Sequence, residues 1–183
     1  MKKVYIYLAD GFEEIEALAP ADLLRRAGAQ VTLVSINAER EVTGARGVRV
    51  IADCTLDDIK EPPDMVVLPG GYPGYENLAK CEKVESMVKE MLEKGRLVAA
   101  ICGAPAAVLG EKGFLTDVRA VCYPGMEDGL HCKEAARDGV CSDRNIITAK
   151  SAGYAIDFAL TLIERLFGDE EKQKISDGIV YHG

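Results

Sequence analysis

Residues 97–105 read Leu97-Val98-Ala99-Ala100-Ile101-Cys102-Gly103-Ala104-Pro105, an apolar run that breaks abruptly at a cysteine. Such a run is typical of a buried strand, and proline is common in the first turn of a helix. Cys102 is therefore predicted to lie at a strand-to-helix turn, where hydrolases with a G-x-S-x-G motif present their nucleophile. The start of a helix also lowers the pKa of a cysteine. Two interpretations remain open: a reactive thiol, or a small buried core residue.

Strand and helix patterns alternate on both sides of this turn. Strands that are apolar throughout are typical of a parallel sheet with helices on both faces. The predicted fold class is therefore a doubly wound α/β fold, with residues 1–183 forming one domain. Strands are predicted over 4–8, 30–36, 64–68, 97–101, 118–122, 140–141 and 146–149, a hairpin over 41–52, and helices over 13–27, 84–92, 106–109 and 155–167. Ile15 and Ile156 are expected on the buried faces of their helices.

The composition excludes several classes of function. The chain carries a net charge of −8, with 28% charged and 48% hydrophobic residues, which are ordinary values for a globular protein. An acidic balance argues against nucleic acid, whose binding needs clustered Lys and Arg, and against anionic membrane surfaces. No signal-peptide core precedes Asp10, and no stretch is long enough to span a membrane. We therefore expect a cytoplasmic protein without membrane or nucleic-acid partners.

Cysteine and histidine usage gives no sign of a metal or a disulfide framework. The cysteines form no C-x-x-C pair, so reduced thiols are expected in a cytosolic protein. With only two histidines, His131 and His182, a zinc site is not expected, and the sequence implies no other cofactor. The six cysteines are Cys54, Cys81, Cys102, Cys122, Cys132 and Cys141.

Three predicted strands end in chemistry-bearing residues. Asp10-Gly11-Phe12-Glu13-Glu14-Ile15-Glu16 follows the first strand, Pro69-Gly70-Gly71 follows strand 64–68, and Cys102 follows strand 97–101. Parallel strands bring their carboxyl ends to one edge of the sheet, where doubly wound folds bind ligands. We therefore expect an acid, a glycine-rich backbone and a thiol to converge. Singly, each has a plain explanation, because acids complement the helix dipole and glycines make turns.

Five stretches in order along nearly the whole chain resemble the ThiJ/PfpI superfamily, in the branch of the Parkinson-disease-associated protein deglycase and bacterial YajL. The resemblance implies a flavodoxin-like fold and a homodimer. The stretches are Gly11-Phe12-Glu13-Glu14-Ile15-Glu16-Ala17, Leu24-Arg25-Arg26-Ala27-Gly28, Val67-Leu68-Pro69-Gly70-Gly71, Ala99-Ala100-Ile101-Cys102-Gly103-Ala104-Pro105 and Asn145-Ile146-Ile147-Thr148.

The resemblance also implies roles for individual residues. Cys102 matches the nucleophilic, oxidation-sensitive cysteine, and Glu16 matches the glutamate that hydrogen-bonds to it. Gly71, with the backbone N–H of Gly103, matches the backbone that holds an oxyanion or a cysteine sulfinate. Arg46 matches an arginine that reaches toward the partner's site across the dimer. Because burial raises the pKa of a carboxylic acid, Glu16 could stay protonated, donate to the thiolate and move protons.

Two positions depart from the pattern of the superfamily. The protease-like branch has a histidine directly after the cysteine, whereas this chain has Gly103, so a peptidase is not expected because it needs a base and a donor for the leaving amine. The human-type deglycase has a histidine near the site, whereas this chain has Tyr123. Tyr123 could position a carbonyl but is a poor base at neutral pH, which leaves Glu16 as the proton carrier. His131, in a polar loop, is either a site residue or a surface histidine.

Two functions are compatible with this site. In the first, Cys102 attacks the carbonyl of an α-oxoaldehyde or its early adduct, and Glu16 moves the proton. This is the protein deglycase and glyoxalase III-like activity that the resemblance implies, on small reactive carbonyls or glycated proteins. In the second, Cys102 is oxidised to a sulfinate, and the protein is a redox sensor or redox-regulated chaperone. A third alternative is a flavodoxin-like binding module. The other five cysteines receive no role.

Overall fold

A seven-stranded sheet forms the centre of the protein in the computed structural model, which describes residues 1–182. The strands are β1 Lys3–Leu8, β2 Gln30–Ser35, β3 Glu41–Thr43, β4 Arg49–Ile51, β5 Cys54–Thr55, β6 Met65–Leu68, β7 Leu97–Ile101, β8 Arg119–Ala120, β9 Glu134–Ala135, β10 Val140–Asp143 and β11 Ile146–Ala149. The helices are α1 Glu14–Arg26, α2 Gly74–Lys80, α3 Glu82–Glu93, α4 Ala155–Phe167 and α5 Asp169–Gly178. No helix in this described part has both the length and the apolar content needed to cross a bilayer.

The strand order of the main sheet is β5-β2-β1-β6-β7-β11-β10. All neighbours pair in parallel except β10, which runs antiparallel to β11 at one edge. The central five strands follow the flavodoxin-like order 2-1-3-4-5, whose ligand site lies where the order reverses. In this chain that point is between β1 and β6. The predicted doubly wound, mostly parallel sheet is confirmed.

The alternation of side chains along β1 separates the two halves of the core. Val4, Ile6 and Leu8 face the layer that contains α1 and α4. Tyr5 and Tyr7 face the opposite layer, which contains α2 and α3. Successive side chains of a strand point to opposite faces, so each strand contributes to both layers. Helices on both faces cover the sheet and explain why its strands are apolar throughout.

Several local predictions are wrong in detail. Ile15 and Ile156 lie outward, 55% and 37% exposed, because neighbouring positions on their helices face the core instead. The strand predicted over residues 118–122 is only the two-residue β8, which pairs with the equally short β9 rather than joining the main sheet. The sequence also did not predict α2 and α5.

The helix after Cys102 differs from an ordinary α-helix. Residues Pro105–Gly110 are π-helical, and the N–H of Glu111 donates to the carbonyl of Ala106, five residues earlier, at 3.0 Å. Single π-helical turns occur frequently at functional sites. The predicted strand-to-helix turn is thus present, but the helix that follows it has a wider turn.

Candidate active site

Three segments meet at the carboxyl ends of β1, β6 and β7. Glu16 lies in the first turn of α1, which follows β1, and its backbone N–H donates to the Glu13 side chain at 2.8 Å. Gly70 and Gly71 directly follow β6, and Cys102 directly follows β7. These strands are adjacent in the sheet, so the predicted convergence of acid, glycine-rich backbone and thiol is present at the point where the strand order reverses.

Cys102 has a left-handed backbone conformation, with a φ of +67°. This conformation is rare for a residue with a side chain, costs energy, and is found at functional sites. Its backbone N–H and its carbonyl are each hydrogen-bonded to a neighbouring segment. The N–H donates to the carbonyl of Ala149 at 2.9 Å, and the carbonyl accepts from the N–H of Tyr123 at 2.8 Å. The turn is therefore fixed by two neighbouring segments.

The Glu16 carboxyl and the Cys102 thiol form a hydrogen-bonded pair. Glu16 is only 1% exposed, and its Oε2 accepts from the backbone N–H of Gly70 at 2.9 Å. The backbone N–H groups of Gly71 and Gly103 are directed at the Cys102 sulfur. Hydrogen bonds to the charged form favour ionisation, so these two donors are placed to stabilise negative charge at the sulfur.

Gly70 separates the acid from the thiol, and no larger residue fits there. A Cβ at position 70 would lie 2.4 Å from the Cβ of Cys102, 2.6 Å from Oε2 of Glu16 and 2.9 Å from Sγ of Cys102. The close approach of acid and sulfur therefore depends on the absence of a side chain at this position.

The pKa of the Cys102 thiol is raised, whereas the sequence predicted that it is lowered. Burial, followed by the negative charge of Glu16, raises this pKa to about 12, and the N–H groups of Gly71 and Gly103 only partly oppose the effect. The start of a helix lowers the pKa of a cysteine, but the loss of solvent around the sulfur has the larger effect here. Burial and the charge of Glu13 raise the pKa of Glu16 to about 7, although hydrogen bonds from the Gly70 N–H, the Cys102 thiol and the Ala152 N–H oppose this effect.

The protonation states of the acid and the thiol are coupled. The charge of Glu16 raises the pKa of Cys102, whereas a hydrogen bond from the Cys102 thiol lowers the pKa of Glu16. Protonation of Glu16 removes the second cause of the raised pKa of Cys102. The thiolate is thus favoured when Glu16 carries its proton. Since the pKa of Glu16 is close to neutral, one proton can pass between substrate and carboxyl at physiological pH.

A cavity of 540 Å³ opens above this pair. Its lining includes the two acids Glu13 and Glu16, the cation Arg46 and three aromatic rings. We call these rings, which belong to Tyr72, Tyr75 and Tyr123, the aromatic wall. Neither histidine lines the cavity, and His131 is an exposed residue whose Nε2 lies 3.6 Å from the Glu111 carboxylate. The described chain, residues 1–182, contains no cluster of acidic, cysteine and histidine side chains suited to a metal.

Arg46 reaches the cavity from the tip of the hairpin formed by β3 and β4. The buried Glu14 holds this tip, because its Oε1 accepts from the backbone N–H of Arg46 at 2.7 Å and of Val48 at 3.4 Å. Arg46 thus lines the cavity of its own chain. The contact across a dimer that the resemblance implies stays a prediction.

None of the other cysteines lines the cavity. All are free thiols. Cys122 and Cys141 are buried, whereas Cys54, Cys81 and Cys132 are half-buried, and Cys81 precedes α3 as its N-cap residue. Gly70, Tyr72 and Tyr75 line or border the site but were not predicted from the sequence as site residues. The Gly-Gly pair after β6 was a signal for the first, whereas the tyrosines belong to a segment without a clear helical pattern.

Comparison with known proteins places these features in a family. The DJ-1/PfpI family matches residues 2–165. Protein DJ-1 homolog A of Arabidopsis thaliana is 42% identical over 178 residues, which are 96% of this chain and 45% of that protein. The chain therefore spans less than half the length of this relative. The glutathione-independent glyoxalase DJR-1.2 of Caenorhabditis elegans is 34% identical over 167 residues, 89% of this chain and 87% of that protein.

A solved structure agrees with the fold over its whole length. Oxidized DJ-1 of Toxoplasma gondii has a TM-score of 0.97 and 37% identity to this chain, with 100% of each chain covered. The superfamily resemblance and the flavodoxin-like fold predicted from the sequence are thereby confirmed. The chain belongs to the DJ-1/PfpI family.

Proposed function

We propose that the protein is a cysteine-dependent enzyme of the glyoxalase III and deglycase type, acting on α-oxoaldehydes and their early adducts with proteins. One observation carries the proposal. The buried Glu16 carboxyl pairs with the Cys102 thiol below an open cavity, and two backbone N–H groups face the sulfur. A nucleophile, a proton carrier and oxyanion donors are the groups that this chemistry needs.

The proposed reaction converts an α-oxoaldehyde and one water into an α-hydroxy acid. Glu16 accepts the thiol proton as the Cys102 sulfur bonds to the aldehyde carbon, and the carbonyl electron pair moves to oxygen, where the N–H groups of Gly71 and Gly103 would act as donors. Glu16 then gives this proton to that oxygen and takes the hydrogen of the same carbon as a proton, so that an enediolate forms. The hydroxyl proton moves to the former ketone oxygen, and Glu16 returns its proton to the neighbouring carbon, which gives a thioester. Water then replaces the sulfur, releasing the acid and the thiol. With methylglyoxal the product is lactate.

Two observations favour this activity over others. A relative with similar length carries the name of a glutathione-independent glyoxalase, and in such a reaction a protein thiol can take the place of the glutathione thiol. The cavity lining contains no histidine to serve as the base of a peptidase. We therefore propose that the protein does not act as a peptidase.

Lactate formation from methylglyoxal tests the proposal. We expect the wild-type protein to produce lactate and the variant Cys102→Ser to produce none above the uncatalysed rate. Cys81→Ser is the matched control, because Cys81 is also a half-buried free thiol but lies outside the cavity. Equal rates for wild type and Cys102→Ser would refute the assignment of the nucleophile.

A redox sensor or redox-regulated chaperone is the second candidate. It is favoured by the likeness to a DJ-1 structure solved in oxidized form and by the N–H groups that face the sulfur. Two molecules of peroxide would convert the Cys102 thiol to a sulfinic acid and two waters. Intact mass after mild peroxide treatment should show two added oxygens, absent in Cys102→Ser, and the oxidised form should suppress aggregation of a client protein. Equal oxidation of all six cysteines would contradict this candidate.

We further propose that the protein acts as a homodimer in the cytoplasm. Ile15, Val48 and Ile51 are 55%, 48% and 60% exposed, and the contact of Glu14 with the N–H of Val48 brings α1 and the hairpin together. An exposed apolar surface of this kind is typical of an interface. Light scattering should give twice the chain mass for the wild type and a lower mass for Ile51→Asp. A monomeric wild type would contradict the dimer.

A further inference from the structure

Tyr75 stands directly against the residue that follows the nucleophile. A Cβ on Gly103 would lie 2.7 Å from Cδ1 and from Cε1 of the Tyr75 ring, and 3.0 Å from Cγ. Real Cβ atoms do not approach a ring so closely, so the ring occupies this position only because residue 103 is glycine. The backbone N–H of Tyr75 donates to the carbonyl of Gly71 at 2.9 Å, which ties the ring to the loop beside the sulfur.

The remainder of the aromatic wall extends this surface across the cavity. The rings of Tyr72 and Tyr75 lie 6.1 Å apart between centroids and are tilted by 58°, an arrangement that aromatic pairs prefer. Tyr123 also lines the cavity, and its backbone N–H donates to the carbonyl of Cys102. Met126 lines the cavity beside these rings, and thioethers make favourable contacts with aromatic groups.

The size of the cavity exceeds what a three-carbon aldehyde needs. Its 540 Å³ falls in the range of about 300–1,000 Å³ that is typical of sites for drug-sized ligands. Tyr75 lies close to the reacting sulfur, because its ring packs on Gly103, the residue that follows Cys102. A ligand that places its carbonyl at Cys102 therefore has Tyr75 and the rest of the aromatic wall within reach of its remaining atoms.

We propose that the site prefers α-oxoaldehydes that carry an aromatic group, and that Tyr75, packed on Gly103, determines this preference. This inference rests on the function proposed above. An aryl ring bonded to the ketone carbon would contact the wall while Cys102 bonds to the aldehyde carbon. With phenylglyoxal, one water is consumed and mandelate is the product, so the atoms balance as in the reaction of methylglyoxal.

The preference is tested by comparing kcat/KM for phenylglyoxal and methylglyoxal. We expect the wild type to favour phenylglyoxal, and Tyr75→Ala to lower this ratio by about fivefold, as expected for the loss of one aromatic contact. The change should appear in KM for phenylglyoxal, and the ratio of the two substrates cancels any loss of activity that both share. Tyr75→Leu, which keeps apolar bulk without the aromatic ring, should lie between the two. Initial rates are measured, because aryl glyoxals also modify arginine.

Tyr154→Ala is the matched control. Tyr154 also packs on a glycine, since a Cβ on Gly139 would lie 2.0 Å from its ring, but it does not line the cavity. This variant should keep the wild-type ratio of the two substrates. A loss of the ratio in Tyr154→Ala equal to that in Tyr75→Ala would assign the effect to general destabilisation and overturn the proposal.

Gly103→Ala tests the contact itself. The added Cβ must displace the Tyr75 ring, so this variant should lower the preference for phenylglyoxal in the wild-type background. In the Tyr75→Ala background it should change the ratio little, because the clash is then absent. Residues in contact show such non-additive effects. Additive effects of the two substitutions on the ratio would contradict the proposed contact.

Protection of Cys102 from iodoacetamide by the two products gives a readout that needs no turnover. Mandelate should protect the wild type at a lower concentration than lactate does, and Tyr75→Ala should remove that difference. Turnover of both aldehydes without an effect of Tyr75→Ala would overturn this inference alone. Absence of lactate from methylglyoxal would overturn the proposed function, and equal protection by both products would overturn the aromatic preference regardless of turnover.

Discussion

Replacing Glu16 with glutamine should stabilise the protein, and more so as the pH rises. Burial raises the pKa of Glu16 from an ordinary value of 4.5 to about 7. The native protein therefore binds this proton more tightly than the unfolded chain does. Its contribution to stability is fully present below pH 4.5 and is lost as the pH rises to about 7. At 1.36 kcal/mol for each pH unit, the loss reaches about 3 kcal/mol.

Glutamine has the same shape, carries no charge, and keeps an oxygen to accept from the N–H of Gly70. Urea unfolding of wild type and Glu16→Gln is compared at pH 5.5 and 8.5, with equal m-values as the check on two-state behaviour. The advantage of the variant should grow by about 2 kcal/mol between these pH values. Glu93→Gln, at an exposed position near the end of α3, is the control and should show no such growth. An advantage of Glu16→Gln that is independent of pH would refute the raised pKa.

Three further predictions concern the surroundings of the site. Gly70→Ala places a Cβ 2.4 Å from that of Cys102, so urea unfolding should show a loss of about 1–3 kcal/mol from overpacking; an unchanged midpoint would contradict the crowding. Thr148→Val removes the buried oxygen that accepts from the N–H of Val121 at 2.9 Å, and it should lower the free energy of unfolding by about 1–3 kcal/mol in thermal or urea unfolding. Thr148→Ser keeps that oxygen and should retain most of the stability. Equal losses in the two variants would argue against the hydrogen bond. At pH 8, iodoacetamide should modify Cys102 faster in Glu16→Gln than in the wild type, because the negative charge that helps to raise the pKa of the thiol is gone. The rate is measured by peptide mass analysis. A slower reaction in the variant would mean that Glu16 assists ionisation of the thiol.

The fold could be predicted from the sequence because its signals are local. The apolar strands, and the break at Cys102, report directly on a parallel sheet and on a turn at its carboxyl edge. Helices α2 and α5 gave weaker signals. The first is a short helix that begins at Gly74, directly after a proline, and the second buries only Ile175, so neither carries a clear apolar periodicity.

The site could be predicted only in part, because some of its properties arise from contacts between distant segments. Cys102, Glu16 and Gly71 come together at one cavity, as expected from the ends of their strands. The need for glycine at position 70 depends on how closely the acid approaches the thiol, which no local pattern contains. The pKa of Cys102 was predicted in the wrong direction for the same reason, since the loss of solvent around the sulfur is a property of the assembled core. The roles assigned to these residues stay predictions until the variants are measured.

The origin of the site in three separate strands has a consequence for how the protein can be monitored. Glu16, Gly70 and Cys102 are distant in sequence and meet only once β1, β6 and β7 are side by side. In an unfolded chain all six cysteines are exposed alike, whereas in the native chain Cys102 is the one among them that lines the cavity. The reaction rate of that single sulfur therefore reports the fraction of correctly assembled molecules in a preparation, without a spectroscopic label.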